Sequence, residues 1–151
     1  MYPQLAFVIS LIYITRADGK ITNEEVGNLL LALGGRAKDG IIEVGENNRA
    51  LLEKAKHYAS TIPLATFLAE ATPCLTEGQK FCLLTSLIDC ALADGDLASE
   101  EQQVISQFLK AFGLTETRLQ TIFEVLVLKN DRSVLINPDH PRNHSTYRVT
   151  L

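Results

Sequence analysis

FVISLIYITRADGKITNEE, residues 7–25, and LLTSLIDCALADGDLASEE, residues 83–101, are one pattern written twice at a constant offset of 76. Eight of the nineteen positions are identical, and four of the others exchange one apolar residue for another. Each copy begins with an apolar run too continuous for a half-buried strand and spaced for a buried helix. Each then reaches Asp-Gly, where a glycine can close a helix in the left-handed region without Cβ strain. A pair of glutamates follows, Glu24-Glu25 and Glu100-Glu101, in the first turn of a second helix. A helix, a turn and a helix, used twice, makes the chain all-α and suggests two helical hairpins related by a pseudo-twofold.

Capping signals extend this reading outward. Pro3 suits the first turn of the opening helix. Thr22 to Glu25 fits a capping box, with Ile21 and Val26 placed as a hydrophobic staple, and Gly34-Gly35 stops the helix they begin. Residues 34–47, GGRAKDGIIEVGEN, hold four glycines and no helical period, so a long loop is expected, with a short extended piece at Ile41-Ile42. A third helix starts near Asn48 and carries Leu51, Leu52, Ala55, Tyr58 and Ala59. Pro63 interrupts it, and a short helix through Phe67 and Leu68 ends near Pro73. Thr76 to Gln79 caps a fifth helix with Phe81, Leu84, Leu87, Ile88 and Ala91 on one face. Ser99 to Gln102 is read as the cap of a sixth, which ends at Gly113. Leu119, Ile122, Phe123, Leu126 and Val127 form the apolar stripe of a seventh. The expected architecture is therefore about seven helices in one compact domain over residues 1–128. Residues 129–151 form a polar tail, extended or partly disordered, with SVLI at 133–136 its one strand candidate.

Composition excludes several classes. With 151 residues, 46% hydrophobic and 21% charged, the chain has the make-up of one ordinary globular domain. A net charge of −4 and no basic run of five or more argue against nucleic acid, whose phosphates demand a basic face. The apolar N-terminus is too short for a bilayer span and lacks a basic leader or a small-residue cleavage site, so neither membrane insertion nor export is expected. Three cysteines, Cys74, Cys82 and Cys90, are odd in number and without CxxC, which reads as reduced, buried thiols in a cytoplasmic protein. His140 and His144 have an H-x3-H spacing, but Pro141 between them argues against one helix presenting both to a zinc ion. His57 is read as a surface or half-buried residue. Ser10 and Ser86 recur in the two copies as small residues that permit close helix approach. No nucleophile motif, P-loop or dinucleotide fingerprint is present, so no enzyme activity and no organic cofactor are expected.

The repeated carboxylates carry the remaining chemistry. Asp18, Gly19, Ile21 and Glu25 match the second half of a calcium-binding EF-hand loop, as do Asp94, Gly95, Leu97 and Glu101. The first two ligand positions would fall on Ile14 and Arg16 in one copy and on Cys90 and Leu92 in the other, which excludes a complete EF-hand. Each copy is a half-site. Adjacent glutamates stand ~100° apart around a helix, so only one of each pair can face a common ion. Arg16 and Lys20 offset the first copy, whereas Asp94, Asp96, Glu100 and Glu101 have no nearby base in sequence, so the second should bind a divalent cation better. Calcium, magnesium, manganese and zinc stay open. The same carboxylates also serve as caps, each glutamate favoured by the helix dipole by ~0.3–1 kcal/mol, and a purely structural interaction module is the other reading.

Ala-Asp-Gly-x-hydrophobic-x-x-Glu-Glu after an apolar helix, present twice, resembles the TerB-like tellurite-resistance family, over about residues 5–128. A related domain opens a membrane-anchored DnaJ-type co-chaperone. The resemblance implies a helical stress-response domain with a negatively charged, divalent-cation-binding surface and a protein partner. The implied site positions are Asp18, Glu24 and Glu25, with Asp94, Glu100 and Glu101.

Overall fold

A computed structural model describes residues 1–17, 36–38, 41–43, 46–92 and 97–148. Helix α1 spans Pro3–Thr15, with Pro3 at its first turn as expected. Leu5, Ala6, Val8, Ile9, Leu11, Ile12 and Ile14 are all buried, on every side of the helix. A helix apolar all round can only be stable when other elements surround it. Helix α2 (Glu46–Thr61), α3 (Leu64–Ala71), α4 (Glu77–Ala91) and α5 (Ser99–Phe112) all pack against it. Helix α6 (Glu116–Asn130) packs on α4, and a one-turn helix α7 (Ser133–Ile136) follows. Single 3-10 turns occur at Thr72–Cys74 and Pro141–Asn143.

Among the described residues the fold is all-α apart from one antiparallel hairpin, β1 (Arg36–Lys38) with β2 (Ile41–Glu43), in register Ala37↔Ile42. Its second strand falls on the extended piece expected at Ile41-Ile42. The second helix expected after Thr22 lies outside the described residues, as does the turn at Asp18-Gly19. Among the described residues, α1 ends at Thr15 and passes into a turn at Arg16 and Ala17.

The core is threaded by a file of aromatic rings. Phe67 of α3 and Phe108 of α5 are fully buried. Tyr13 lies 5.3 Å from Phe67, Tyr58 6.0 Å from Phe67, Phe67 6.2 Å from Phe108, and Phe108 5.7 Å from Phe112, centroid to centroid. Three of these contacts are edge-on, the arrangement ring quadrupoles prefer. Ser10 is also completely buried, its hydroxyl satisfied by donating to the Ala6 carbonyl at 2.7 Å.

Local signals set two helix ends as read. Thr76 accepts from the Gln79 amide at 3.2 Å while the Gln79 side chain accepts from the Thr76 amide at 2.9 Å, a reciprocal capping box. Gly113 closes α5 at φ 66°, and the Leu114 amide reaches back to the Leu109 carbonyl at 3.1 Å. Thr76→Ala should cost about 1 kcal/mol and lower Tm by about 2–4 °C, while Thr76→Ser should not. Thermal melts of the two variants side by side make the check.

Three expectations are corrected. Cys74 and Cys82 are exposed and Cys90 only half-buried. Cys82 lies about 160° around α4 from buried Leu84, on the face turned away from the core. Phe81 and Phe123 also stand partly in solvent, so α6 engages the core chiefly through Ile122 and Leu126. The strand candidate at 133–136 is helical, because the Asp131 carboxylate accepts from the Ser133 amide at 3.2 Å and so caps a turn.

Candidate acidic site

The second sequence copy is formed by the end of α4 and the start of α5. Leu92, which follows α4, is buried and donates its amide to the Ile88 carbonyl at 3.0 Å. The chain returns at Leu97 and Ala98, with Ala98 extended as the residue before the helix. The cap falls one residue earlier than the Ser99–Gln102 reading. A methyl group cannot accept a hydrogen bond, so only the return half of a box exists here: the Ala98 amide donates to Glu101 Oε2 at 2.9 Å. Gln102 Nε2 donates to the Leu97 carbonyl at 3.0 Å, adding a second tie at the start of α5. Ser99, displaced from its capping role, donates its hydroxyl to Glu100 Oε2 at 2.8 Å.

The two glutamates thus play different parts. Glu101 is half-buried and folded back onto the Ala98 amide, and Glu100 is exposed. Both sit where the positive end of the α5 dipole favours a carboxylate and would otherwise repel a cation. A carboxylate has about four acceptor positions, so a hydrogen bond and a metal can share one group. Of the seven carboxylates named from sequence, Glu100 and Glu101 are described; Asp18, Glu24, Glu25, Asp94 and Asp96 lie outside the described residues. Among the described residues no three His, Cys, Asp or Glu side chains are gathered as a metal-binding group. The structure does describe the positions that excluded a complete EF-hand: Ile14 and Leu92 are buried core residues, and Cys90 belongs to α4.

The histidines serve separate local roles. His140 Nδ1 accepts from the Arg142 amide at 3.1 Å, so its other nitrogen carries the proton and donates to Asp131 Oδ2 at 3.2 Å. His144 Nδ1 contacts the Thr146 hydroxyl at 2.7 Å instead, and His57 is exposed.

Asp131 is a hub the sequence reading did not single out. Besides His140 it takes Arg142 Nη1 at 3.1 Å and the Ser133 hydroxyl at 2.5 Å. The Ser133 hydrogen bond, with His140 and Arg142 adding to it, holds the Asp131 carboxyl below its ordinary value of 3.8. Because the aspartate separates the serine from the imidazole, the three are no nucleophilic relay; they are a clasp on the segment after α6. The Asp131-x-Ser133 spacing, common where a side chain caps its own turn, was the available signal. Asp89 on α4 makes a similar tie: it accepts from Lys129 at 2.7 Å and Asn130 at 3.0 Å on α6. Burial alone would raise the Asp89 pKa, but these bonds outweigh it and lower it.

A folded-state pKa below the unfolded value means the Asp131 clasp contributes fully above about pH 4 and is lost as pH falls through the lowered value. The Ser133 amide shift, followed by NMR from about pH 5 to pH 2, should inflect below 3.8, and Asp131→Asn should abolish the inflection.

The described fold, with Glu100 and Glu101 in the first turn of α5, is that of a small, mainly α-helical domain. The family model described as Tellurite resistance protein TerB matches residues 4–123, and the chain belongs to that family. Comparison with curated proteins and with solved structures gives no match. No helix among the described residues is long and apolar enough to cross a membrane.

Proposed function

We propose that this TerB-family domain is a cytoplasmic, non-enzymatic stress-response module whose second acidic turn binds a divalent cation or a basic segment of a protein partner. The observation that carries this reading is the repeat: both copies keep the turn aspartate and both glutamates, more than helix capping requires of two independent turns. Glu100 and Glu101, at the start of α5, and Asp94 and Asp96 would supply oxygen donors only. That set suits calcium, magnesium or manganese better than zinc, which favours nitrogen and sulfur. The first copy, Asp18 with Glu24 and Glu25, is flanked by Arg16 and Lys20 and would bind more weakly. In this role the cation supplies charge to draw the acidic turns together or to bridge to a partner, and the chain's residues hold it.

A second reading has its own support. The bond from the Ala98 amide to Glu101 is a structural use of that carboxylate, consistent with an interaction module that needs no metal. Thermal melts with each cation against chelator separate the two. Each tenfold rise of cation above its Kd should add about 1.4 kcal/mol to the wild type. Glu101→Gln can still return a side-chain oxygen to the Ala98 amide, so with Asp94→Asn it removes charge and leaves the cap. A cation that raises the wild-type Tm no more than the double variant's would overturn the metal reading.

A further inference from the structure

We propose that the trough between α3, α5 and the start of α4 docks an acidic amphipathic helix of a partner protein, on a surface opposite in sign to that of Glu100 and Glu101. The trough has a volume of about 680 Å³ and a mainly apolar lining. Ala65, Leu68 and Ala69 of α3 form one wall, and Ala111 of α5 lies on the other. Lys80 of α4 and Lys110 of α5 are the charged side chains that line it.

The chain carries −4 overall, yet among the described residues no carboxylate lines this trough. The acids of its three helices are engaged or placed elsewhere. Glu70, the one acid of α3, accepts from the Tyr58 hydroxyl of α2 at 2.6 Å. On α4, Glu77 lines a different groove, facing α6, and Asp89 holds Lys129. On α5, Glu100 and Glu101 open the helix, about 14 Å along the axis from Lys110 in its last turn. Neither Lys80 nor Lys110 has an ion-pair partner among the described residues. Lys110 has a local reason to be where it is, since the negative end of the α5 dipole favours a cation. Lys80 has none. It closes the first turn of α4, its amide donating to the Thr76 carbonyl at 2.9 Å, where the positive end of the dipole disfavours an ammonium. It is also half-buried. An anionic group that both lysines face accounts for a charge kept in that place.

The walls select the form of that anion. An extended segment binds by pairing with a sheet edge, and three helices offer none. A small free anion would use the lysines and leave the apolar lining in water. A helix with an apolar stripe flanked by glutamates uses both. Ala65 and Ala69 are exposed one turn apart on α3, and with Ala111 they let the backbone of such a helix come close to α3 and α5.

Fluorescence anisotropy tests this on the full chain, with a labelled synthetic helix of about five turns. The peptide carries leucine and alanine at i, i+3, i+4 and i+7 and glutamates on both flanks of that stripe. It should bind with a micromolar Kd and more weakly as salt rises from about 0.05 to 0.5 M. Lys80→Glu with Lys110→Glu should weaken binding at least tenfold. Lys80→Glu alone should keep its circular-dichroism melt at or above that of the wild type, because the first turn of α4 favours a carboxylate, so lost binding is not lost folding. Ala69→Gln, uncharged and at an exposed position, narrows the trough and should weaken binding about tenfold, whereas attraction by charge alone would ignore it. Failure of the acidic helix to bind overturns the proposal, as does binding indifferent to the Lys80 or Ala69 change. Equal binding of a peptide with the same glutamates and serine in place of leucine overturns it too. Sedimentation showing that the chain associates with itself through Lys80 would make the occupant a second copy, and the partner helix would be wrong.

Discussion

Phe67→Ala is expected to destabilise the domain by about 3–5 kcal/mol, a large part of the roughly 5–15 kcal/mol that holds a domain of this size folded. Phe67 is fully buried and is the ring that Tyr13, Tyr58 and Phe108 all touch. Those neighbours come from α1, α2 and α5, so truncation opens a void where three helices meet the fourth. Each neighbour has a second tether that keeps it from collapsing inward. Tyr58 donates to Glu70 at 2.6 Å, Tyr13 donates to the Ile62 carbonyl, and Phe108 meets Phe112 edge-on. Relaxation should therefore be poor and the loss near the upper end of the range. Urea denaturation should show the midpoint falling with the slope unchanged, since the surface exposed on unfolding barely alters. A loss under about 1 kcal/mol would mean that the aromatic file does not hold these helices together.

The same region illustrates which features sequence could reveal. The Thr76 box and the Gly113 terminus are local: a few adjacent residues decide them, and both fall where the pattern put them. The buried stripe of α1 was equally plain, because an unbroken apolar run leaves no polar face to turn outward. Burial on α4 and α6 was not, since periodicity identifies an apolar face without saying whether a neighbour covers all of it. Phe81 and Phe123 carry the period of core residues and stand partly in water. The hairpin was half-read at Ile41-Ile42; the Asp39-Gly40 pair, a frequent two-residue connection between strands, pointed to the missing strand at Arg36–Lys38. At the start of α5, sequence picks out Glu100 and Glu101 but puts the cap at Ser99, one residue after its place at Ala98. Ser99 is the better capping residue by type, and what overrode it was the bond Glu101 makes to the Ala98 amide, a return contact that depends on how the chain enters from Leu97.

Ser10 and Ser86 occupy the same position in the two sequence copies, and sequence gives no ground to treat them differently. In the structure they differ sharply, which sets the second large effect. Ser10 is fully buried on a helix that is packed on all sides. Ser86 is half-buried, on α4, its hydroxyl donating to the Cys82 carbonyl at 2.9 Å. Ser10→Leu puts three carbons in place of one oxygen, a net gain of two heavy atoms, where no neighbouring helix can yield without moving several others. It should cost up to about 3 kcal/mol, the upper range for an overpacked core. Loss of the hydroxyl contributes little to that figure, because the Ala6 carbonyl already takes its helical bond and the serine hydroxyl leaves with its own demand. Ser86→Leu can swing its added carbons toward solvent and should change stability by no more than about 0.5 kcal/mol. Ser10→Ala separates volume from polarity: it should be close to neutral, whereas a loss as large as that of Ser10→Leu would put the cost in the hydrogen bond. Measured by denaturant melts of all three variants, equal losses at Ser10→Leu and Ser86→Leu would mean that the two copies pack alike and that α1 is not the enclosed centre of the fold.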